Sequence, residues 1–353
     1  MKKILAVLPV IVATFFLSGC SLDTGLSSPK ITMANATVIK TDDSGALWNP
    51  KIKIDDKKII SGVDVLSMIV HPVDPDIIYI GTMSDGLFVT KDGAESWTQV
   101  AYPDKAYGLV FDPRNPNIMY GSGILNGRAK IFKRIAEDQE WREIYTEPAD
   151  GTTISALAID RVNPQVIYAG TSEGIIIKTT DGGLTWVNLK TDPNLVGPIT
   201  SIVFDASNDA HVFFAVFQVG VLETKNAGAT VEDISEKIDP VGNTRSIYTL
   251  VADPSLGGVV YAGTETGIFR RSGGDSWTSM NLIASSKAFP VRAIAVNPRN
   301  SNEIMYSSAK AIYKSTDGGS KWATFQLDTN KEISVLKYDS TDPRNIYGGL
   351  RGF

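Results

Sequence analysis

From residue 31 onward the chain is a succession of short apolar runs, each four to seven residues long and bounded by Gly, Pro, Asn, Asp or Ser. A representative stretch reads Ile154-Ser-Ala-Leu-Ala-Ile-Asp160, then Asn163-Pro164, then Val166-Ile-Tyr168-Ala-Gly170-Thr171. It continues with Gly174-Ile-Ile-Ile-Lys178 and, after a turn, Trp186-Val-Asn-Leu189. Runs of this length, rich in β-branched residues and punctuated by turn formers, read as β-strands. Four of them within about 45 residues predict one four-stranded antiparallel unit. No long apolar pattern of period 3.6 follows residue 30, so helices are expected to be minor.

Between the third and fourth runs lies the octet Thr179-Thr180-Asp181-Gly182-Gly183-Leu184-Thr185-Trp186. In the frame Ser/Thr-x-Asp-x-Gly-x-x-Trp the Asp can accept nearby backbone N–H groups, the Gly supplies a positive φ, and the Trp buries its ring on a neighbouring element. The frame recurs as Thr41-x-Asp43-x-Gly45-x-x-Trp48 and Ser315-x-Asp317-x-Gly319-x-x-Trp322. Degraded copies are Thr90-x-Asp92-x-Ala94-x-x-Trp97, Thr224-x-Asn226-x-Gly228-x-x-Val231 and Arg270-x-Ser272-x-Gly274-x-x-Trp277, and one unit keeps little but Trp141. The closing positions 48, 97, 141, 186, 231, 277 and 322 are 49, 44, 45, 45, 46 and 45 apart, which makes seven copies of one unit. His71-Pro72, Asp112-Pro113, Asn163-Pro164, Asp253-Pro254 and Asn297-Pro298 fall at the turn between the first two runs of their units.

The two ends complete one another. Ile333–Asp339 and Asn345–Gly349 supply a first and second strand with no turn after them, while Ala36–Lys40 and the turn ending at Trp48 supply a third and fourth. The expected fold is therefore all-β, a seven-bladed β-propeller of four-stranded antiparallel blades. N- and C-terminal strands close it in one composite blade, which leaves no open repeat edge. In the first strand of each unit, Leu66, Tyr107, Ser155, Thr200, Tyr248, Arg292 and Ser334 are followed two residues on by an apolar residue and interleaved with small ones. That pattern suits an innermost strand beside a crowded axis.

Residues 1–19 are read apart from the fold. Lys2 and Lys3 precede an apolar stretch from Ile4 to Phe16, too short to span a bilayer as a helix, which ends in Leu17-Ser18-Gly19-Cys20. This resembles the lipobox of bacterial lipoproteins and implies a mature chain beginning at a lipidated Cys20, the single cysteine, followed by a flexible tether over residues 20–30. The domain organisation expected is then leader 1–19, tether 20–30 and a single propeller over 31–353. The localisation expected is the bacterial cell envelope, at the outer membrane or the outer face of the cytoplasmic membrane. Removing the two lysines of the leader takes the formal charge from −5 to −7 (−5 − 2), which leaves no basic footprint for nucleic acid.

With these residues in hand the chain resembles the BNR/Asp-box propeller superfamily over residues 31–353. That superfamily includes sialidases, sortilin-type receptor domains, xyloglucan-degrading tandem propellers and the photosystem II assembly-factor family. The resemblance implies that the box residues Asp43, Gly45, Trp48, Asp92, Trp97, Asp181, Gly183, Trp186, Asp317, Gly319 and Trp322 are structural fastenings on the blade periphery. A sialidase implies an arginine triad and six blades, whereas Arg245 and Arg292 are two arginines in a seven-unit chain. A xyloglucanase implies two catalytic Asp residues facing each other across a cleft between two propellers, and residues 31–353 read as one. With His71 and His211 the only histidines, no metal site, cofactor or nucleophile–base pair is expected, and His71 reads as a turn residue.

Function is accordingly expected on the loop face. The loops between second and third strands carry Asp85, Glu173 and Glu265, with Tyr107, Tyr248 and Arg292 beneath them near the axis. Such a face can bind peptide or glycan, or stand merely as solvated loops. The reading that follows is a non-enzymatic envelope lipoprotein, a protein-binding or assembly scaffold, with a glycan-binding or sialidase-like glycoside-hydrolase protein as the alternative. The expected partners are the membrane through the lipid anchor, and an envelope protein or a glycan.

Overall fold

The computed structural model describes residues 31–136, 140–189, 191, 194, 196–238, 244–283 and 289–353. The expected leader, Cys20 and the tether lie outside the described residues. Among those described, the strands form seven sheets, each of four antiparallel strands. A typical blade runs Ile154–Ile159, Ile167–Thr171, Ile176–Thr179 and Val187–Asn188 from inside to outside. The first strands of the blades touch one another in a closed cycle, so the ring is complete. Closure is made as expected: Val38–Thr41 pairs antiparallel with Ile346–Arg351, Ile39 opposite Gly348 and Thr41 opposite Ile346. Only two short helical turns are present among the described residues, Met33–Asn35 and Ser235–Ile238.

There is no single core. The buried apolar side chains fall into seven clusters, each shared by two neighbouring blades. Both faces of each sheet are thus covered by sheets, which is why second strands such as Ile78–Thr82 and Ile167–Thr171 are buried at every residue. A strand buried on both faces reads as a continuous apolar run rather than an alternating one.

The octet turns show how blades are fastened. Thr179 Oγ1 donates to Asp181 Oδ1 at 2.7 Å and accepts Gly183 N–H at 3.0 Å, while Asp181 Oδ1 accepts Leu184 and Thr185 N–H, each at 2.9 Å. The same bonds recur at Thr41–Asp43, Thr90–Asp92 and Ser315–Asp317, and Asn226 replaces the Asp at Thr224. These hydrogen bonds hold the Asp43, Asp181 and Asp317 carboxyls below their ordinary range, and at Asp92 they outweigh the opposing effect of burial. Gly183 has φ +97°, and a Cβ there would fall 2.6 Å from Ile144 of the preceding blade.

The tryptophans also reach backwards. Trp97 Nε1 donates to Lys51 O at 2.9 Å and Trp322 Nε1 to Asn281 O at 3.0 Å, both acceptors following the outer strand of the preceding blade. Trp48, Trp97 and Trp277 are buried, whereas Trp186 and Trp322 are only half-buried. Lysines make the return tie. Lys40, Lys178 and Lys314 extend from third strands and donate to Gly93 O, Ala227 O and Ser44 O in the octet turn of the next blade, at 3.0, 2.7 and 2.7 Å. Lys40 and Lys178 lie over the buried rings of Tyr347 and Tyr168 on the way.

Candidate functional site

The loop face acquires its shape from a feature repeated seven times. At the start of every innermost strand the pairing register slips by one residue, between Val65 and Ser67, Ala106 and Leu109, Ile154 and Ala156, and likewise in the other four. A β-bulge leaves its extra residue out of the ladder and re-aims its side chain. The residues so placed are Leu66, Tyr107 (with Gly108), Ser155, Thr200, Tyr248, Arg292 and Ser334, all of them half-buried around the axial opening. Three of these hydroxyls tie the ring together. Ser155 donates to Ile199 O at 2.7 Å, Thr200 to Ile247 O at 3.0 Å and Ser334 to Val65 O at 2.8 Å, each in the next blade.

The opening is a cavity of about 290 Å³ lined by Leu66, Met83, Tyr107, Thr200, Tyr248, Arg292, Arg351 and Phe353 among others. Arg292 Nε donates to Glu332 Oε2 at 2.6 Å. Its guanidinium lies 5.1 Å from the centre of the Tyr248 ring and 3.6 Å from that of Phe353, and Arg351 covers Phe353 at 4.8 Å. Tyr248 also packs edge-on against Phe217 at 5.4 Å. Beside this cluster Lys331 Nζ and Gly352 N–H both donate to Asp64 Oδ1 at 2.9 Å. Burial alone would raise the Asp64 carboxyl, but the Gly352 N–H and Lys331 hold it below its usual value, so Asp64 is a carboxylate at neutral pH. Burial raises the phenols of Tyr107 and Tyr248, opposed by Arg351 and Arg292 respectively, and lowers the guanidinium of Arg351. The mouth therefore offers aromatic faces, a paired and a less tightly held cation, and a fixed carboxylate: groups that stack on and hydrogen-bond a polar, ring-shaped ligand.

The residues singled out in the sequence are only partly brought together. Tyr107, Tyr248 and Arg292 line the mouth, and Glu265 is near enough to Tyr248 to raise its phenol. Asp85 and Glu173 do not line it: each turns to a serine hydroxyl of its own loop, Ser84 at 2.9 Å and Ser172 at 3.4 Å. Asp64, Lys331, Glu332, Arg351 and Phe353 were missed. A signal existed for two of them, since Arg351 holds the position that Met83, Ser172 and Glu265 hold in other blades, and Glu332 the position of Asp64. It becomes visible only once the composite blade is aligned through its pairing.

The histidines lie apart from the mouth. His71 Nδ1 accepts the N–H groups of Val73 and Asp74 at 3.3 and 2.9 Å, as Asp112 Oδ1 accepts those of Arg114 and Asn115. His211 is buried in a charge network, 3.0 Å from Glu223 and 3.5 Å from Asp205, which Arg271, Lys225, Lys237 and Asp275 extend toward the rim. Elsewhere on the loop face Tyr102, Phe132 and Trp141 border a concavity of about 730 Å³, with Tyr102 edge-on to Trp141 at 4.8 Å.

No family model matches the chain. It is similar to a xyloglucanase of Paenibacillus sp., 23% identical over 88% of this chain and 32% of the relative. It is also similar to an oligoxyloglucan-reducing end-specific xyloglucanase of Emericella nidulans, 22% identical over 71% of this chain and 37% of the relative. The chain thus spans about a third of the length of the curated relatives it matches. Among solved structures it resembles a GH74 xyloglucanase from Xanthomonas campestris, with a TM-score of 0.69, 17% identity, and 82% of this chain against 51% of that one. It also resembles YCF48 bound to D1 peptide, with a TM-score of 0.60, 16% identity, and 85% of this chain against 99% of that one. At these identities the structures speak for the fold, a seven-bladed propeller shared with both groups.

The curated relatives correct the expected function. The non-catalytic scaffold reading, and with it the reading of the chain as no enzyme, does not stand against relatives that are xyloglucanases. The physical reason for the error is plain. Where two catalytic carboxylates stand on opposite walls of a cleft between propellers, one ring shows no complete catalytic constellation, and the scaffold reading rested on its lack of one.

Proposed function

We propose that this chain is a glycan-active propeller of the xyloglucanase kind, a glycoside hydrolase whose axial mouth forms one wall of a polysaccharide-binding cleft. The observation that carries the reading is sequence similarity to a xyloglucanase along 88% of the chain. The mouth supports it: Tyr248, Tyr107 and Phe353 offer ring faces for sugar stacking, and Arg292 and Glu332 offer hydrogen bonds to hydroxyls. Glycoside hydrolysis needs a carboxylate and a proton-donating carboxyl on either side of the scissile bond. Asp64, kept ionised, fits the base or nucleophile and not the acid. Asp85 follows on the adjoining loop of the same blade, which Met83 N–H joins to Asp64 O at 3.0 Å. The opposing carboxyl belongs to the facing wall, a second propeller in the same or another chain.

The test uses purified protein and xyloglucan. Retardation in xyloglucan-containing gels is the expected result, with release of reducing ends once a second propeller supplies the opposing carboxyl. Asp64→Asn should abolish turnover while leaving retardation, and Arg292→Ala with Tyr248→Ala should weaken retardation. Neither turnover nor retardation with the unmodified protein would sink the proposal. A lipid on Cys20 would place this activity at the cell envelope. Cys20→Ala should then release the protein from membranes, and retention at high salt would count against the anchor.

A further inference from the structure

The blade built from Ala106–Phe111, Ile118–Leu125, Arg128–Ile135 and Trp141–Thr146 departs from the repeat in a way the mouth does not explain. It keeps its tryptophan, Trp141, without the octet that makes this residue a fastening in other blades. Trp97, Trp186 and Trp322 each donate their indole N–H to a backbone carbonyl. Trp141 Nε1 is buried and has no hydrogen-bond partner; Trp48 shares that lack, but within an intact octet. Trp141 packs instead edge-on to Tyr102 at 4.8 Å, and Tyr102 edge-on to Phe132 at 5.6 Å. Tyr102 belongs to the connection from the preceding blade. It fits because the second strand carries a glycine there: a Cβ on Gly121 would fall 2.7 Å from the Tyr102 hydroxyl oxygen. That hydroxyl too is buried without a partner. Two orphaned donors beside one concavity cost stability, and the blade joint gains nothing from them.

The concavity of about 730 Å³ that these rings border has a stiff far wall. Strands Ile118–Leu125 and Arg128–Ile135 are joined by Asn126-Gly127 alone, both at positive φ, as in the two-residue loops that hairpins favour. Arg128 pins this hairpin by donating to Glu147 O at 2.7 Å. The lining combines the apolar surface of Tyr102, Trp141 and Leu125 with the exposed polar side chains of Asp104, Asn126 and Glu140. Among the described residues it holds no lysine or arginine. With two carboxylates and no cation, the hollow disfavours an anion. Ring faces beside a few carboxylate and amide groups suit an uncharged, hydroxyl-rich ring instead. The concavity also adjoins the mouth: Tyr107 follows Tyr102 by five residues of one connection, at most about 18 Å of chain.

We propose that this concavity is a second sugar-binding subsite, which seats a pyranose ring of a glycan against Trp141 and Tyr102 and lets one glycan chain engage both it and the mouth. Its ligand class rests on the glycan reading above. The probe is a xyloglucan oligosaccharide, and the readout is the set of indole ¹⁵N–H signals of the full-length protein labelled at tryptophan. The signal absent from Trp141→Phe, which keeps an aromatic ring in the seam, is that of Trp141. It should shift on titration, and shift still in the double variant Arg292→Ala with Tyr248→Ala, whose mouth is disabled. In xyloglucan gels Trp141→Ala should lower the apparent affinity by about ten-fold or more, because linked subsites add avidity. Retardation of the wild type with an unmoved Trp141 signal overturns the subsite and leaves the mouth reading standing. A Trp141 shift that disappears in the mouth variant shows a single site and also overturns the subsite. Neither retardation nor a shifted signal sinks both readings. Should Trp141→Ala fail to fold, the titrations of the wild type and the mouth variant still decide.

Discussion

At the scale of single residues, the repeat is held by side chains whose size is dictated from the next blade. Gly81 is an extended-strand glycine, and a Cβ on it would lie 2.5 Å from Ala106 O and 2.4 Å from Ser67 Oγ. The neighbour is backbone of the adjacent inner strand and cannot move aside. Gly81→Ala is therefore expected to destabilise by about 3 kcal/mol, at the upper end of overpacking costs, measured by urea unfolding. A loss below about 0.5 kcal/mol would mean that the blades can separate locally. His71 makes a second case. Its Nδ1 must be unprotonated to accept two N–H groups, and burial lowers its pKa despite the opposing charge of Asp74. A folded pKa below the unfolded value of about 6.5 means that its contribution is present above that pH and lost as pH falls through the folded pKa. His71→Asp, which installs the acceptor found at Asp112, should lose less Tm than wild type between pH 7 and pH 5. Coincident profiles would show that His71 is not the titrating turn.

At the scale of elements, each octet turn is a joint between blades rather than a hairpin closed on itself. The turn satisfies its own backbone through Thr and Asp, its Trp covers the blade before it, and a lysine from that blade returns to one of its carbonyls. Lys178 shows the joint well, since its ammonium crosses the Tyr168 ring at 5.3 Å to reach Ala227 O. Lys178→Met keeps the stem and removes the charge, and should cost about 2 kcal/mol, the worth of a charge-assisted hydrogen bond, in chemical denaturation. An unchanged midpoint would make the tie incidental. The octets and the strand runs were legible from residue spacing because their chemistry is local. The bulges were not, because a bulge is a mismatch between two strands and neither strand alone records it.

At the scale of the whole molecule, closure is the property on which everything else rests. Four strands from both ends form one sheet, and the first strands of blades one and seven are adjacent in the ring. Deleting residues 339–353 removes Ile346–Arg351, which pairs on one side with Val38–Thr41 and on the other with Glu332–Tyr338. The shortened protein should lose the single cooperative unfolding transition and elute as aggregate in size-exclusion chromatography. A monomer with wild-type unfolding would refute the composite blade as the clasp. The same clasp brings Asp64, Lys331, Arg351 and Phe353 to the mouth, so its loss should also abolish xyloglucan retardation.

Blade number, strand order and the composite closure followed from spacing alone, since a repeat of fixed period dictates one supersecondary unit and an incomplete unit at each end can only be completed by the other. The tyrosines and arginine of the inner strands were likewise visible as exceptions within an otherwise small or apolar set. What came only with the folded ring were contacts between residues far apart in the chain: Asp64 with Lys331 and Gly352, Arg292 with Glu332 and Phe353. Lys337 stands out for a related reason, because it is odd only by pairing register, opposite Tyr347 where the other blades carry an aliphatic residue, and register is not a property of the linear chain.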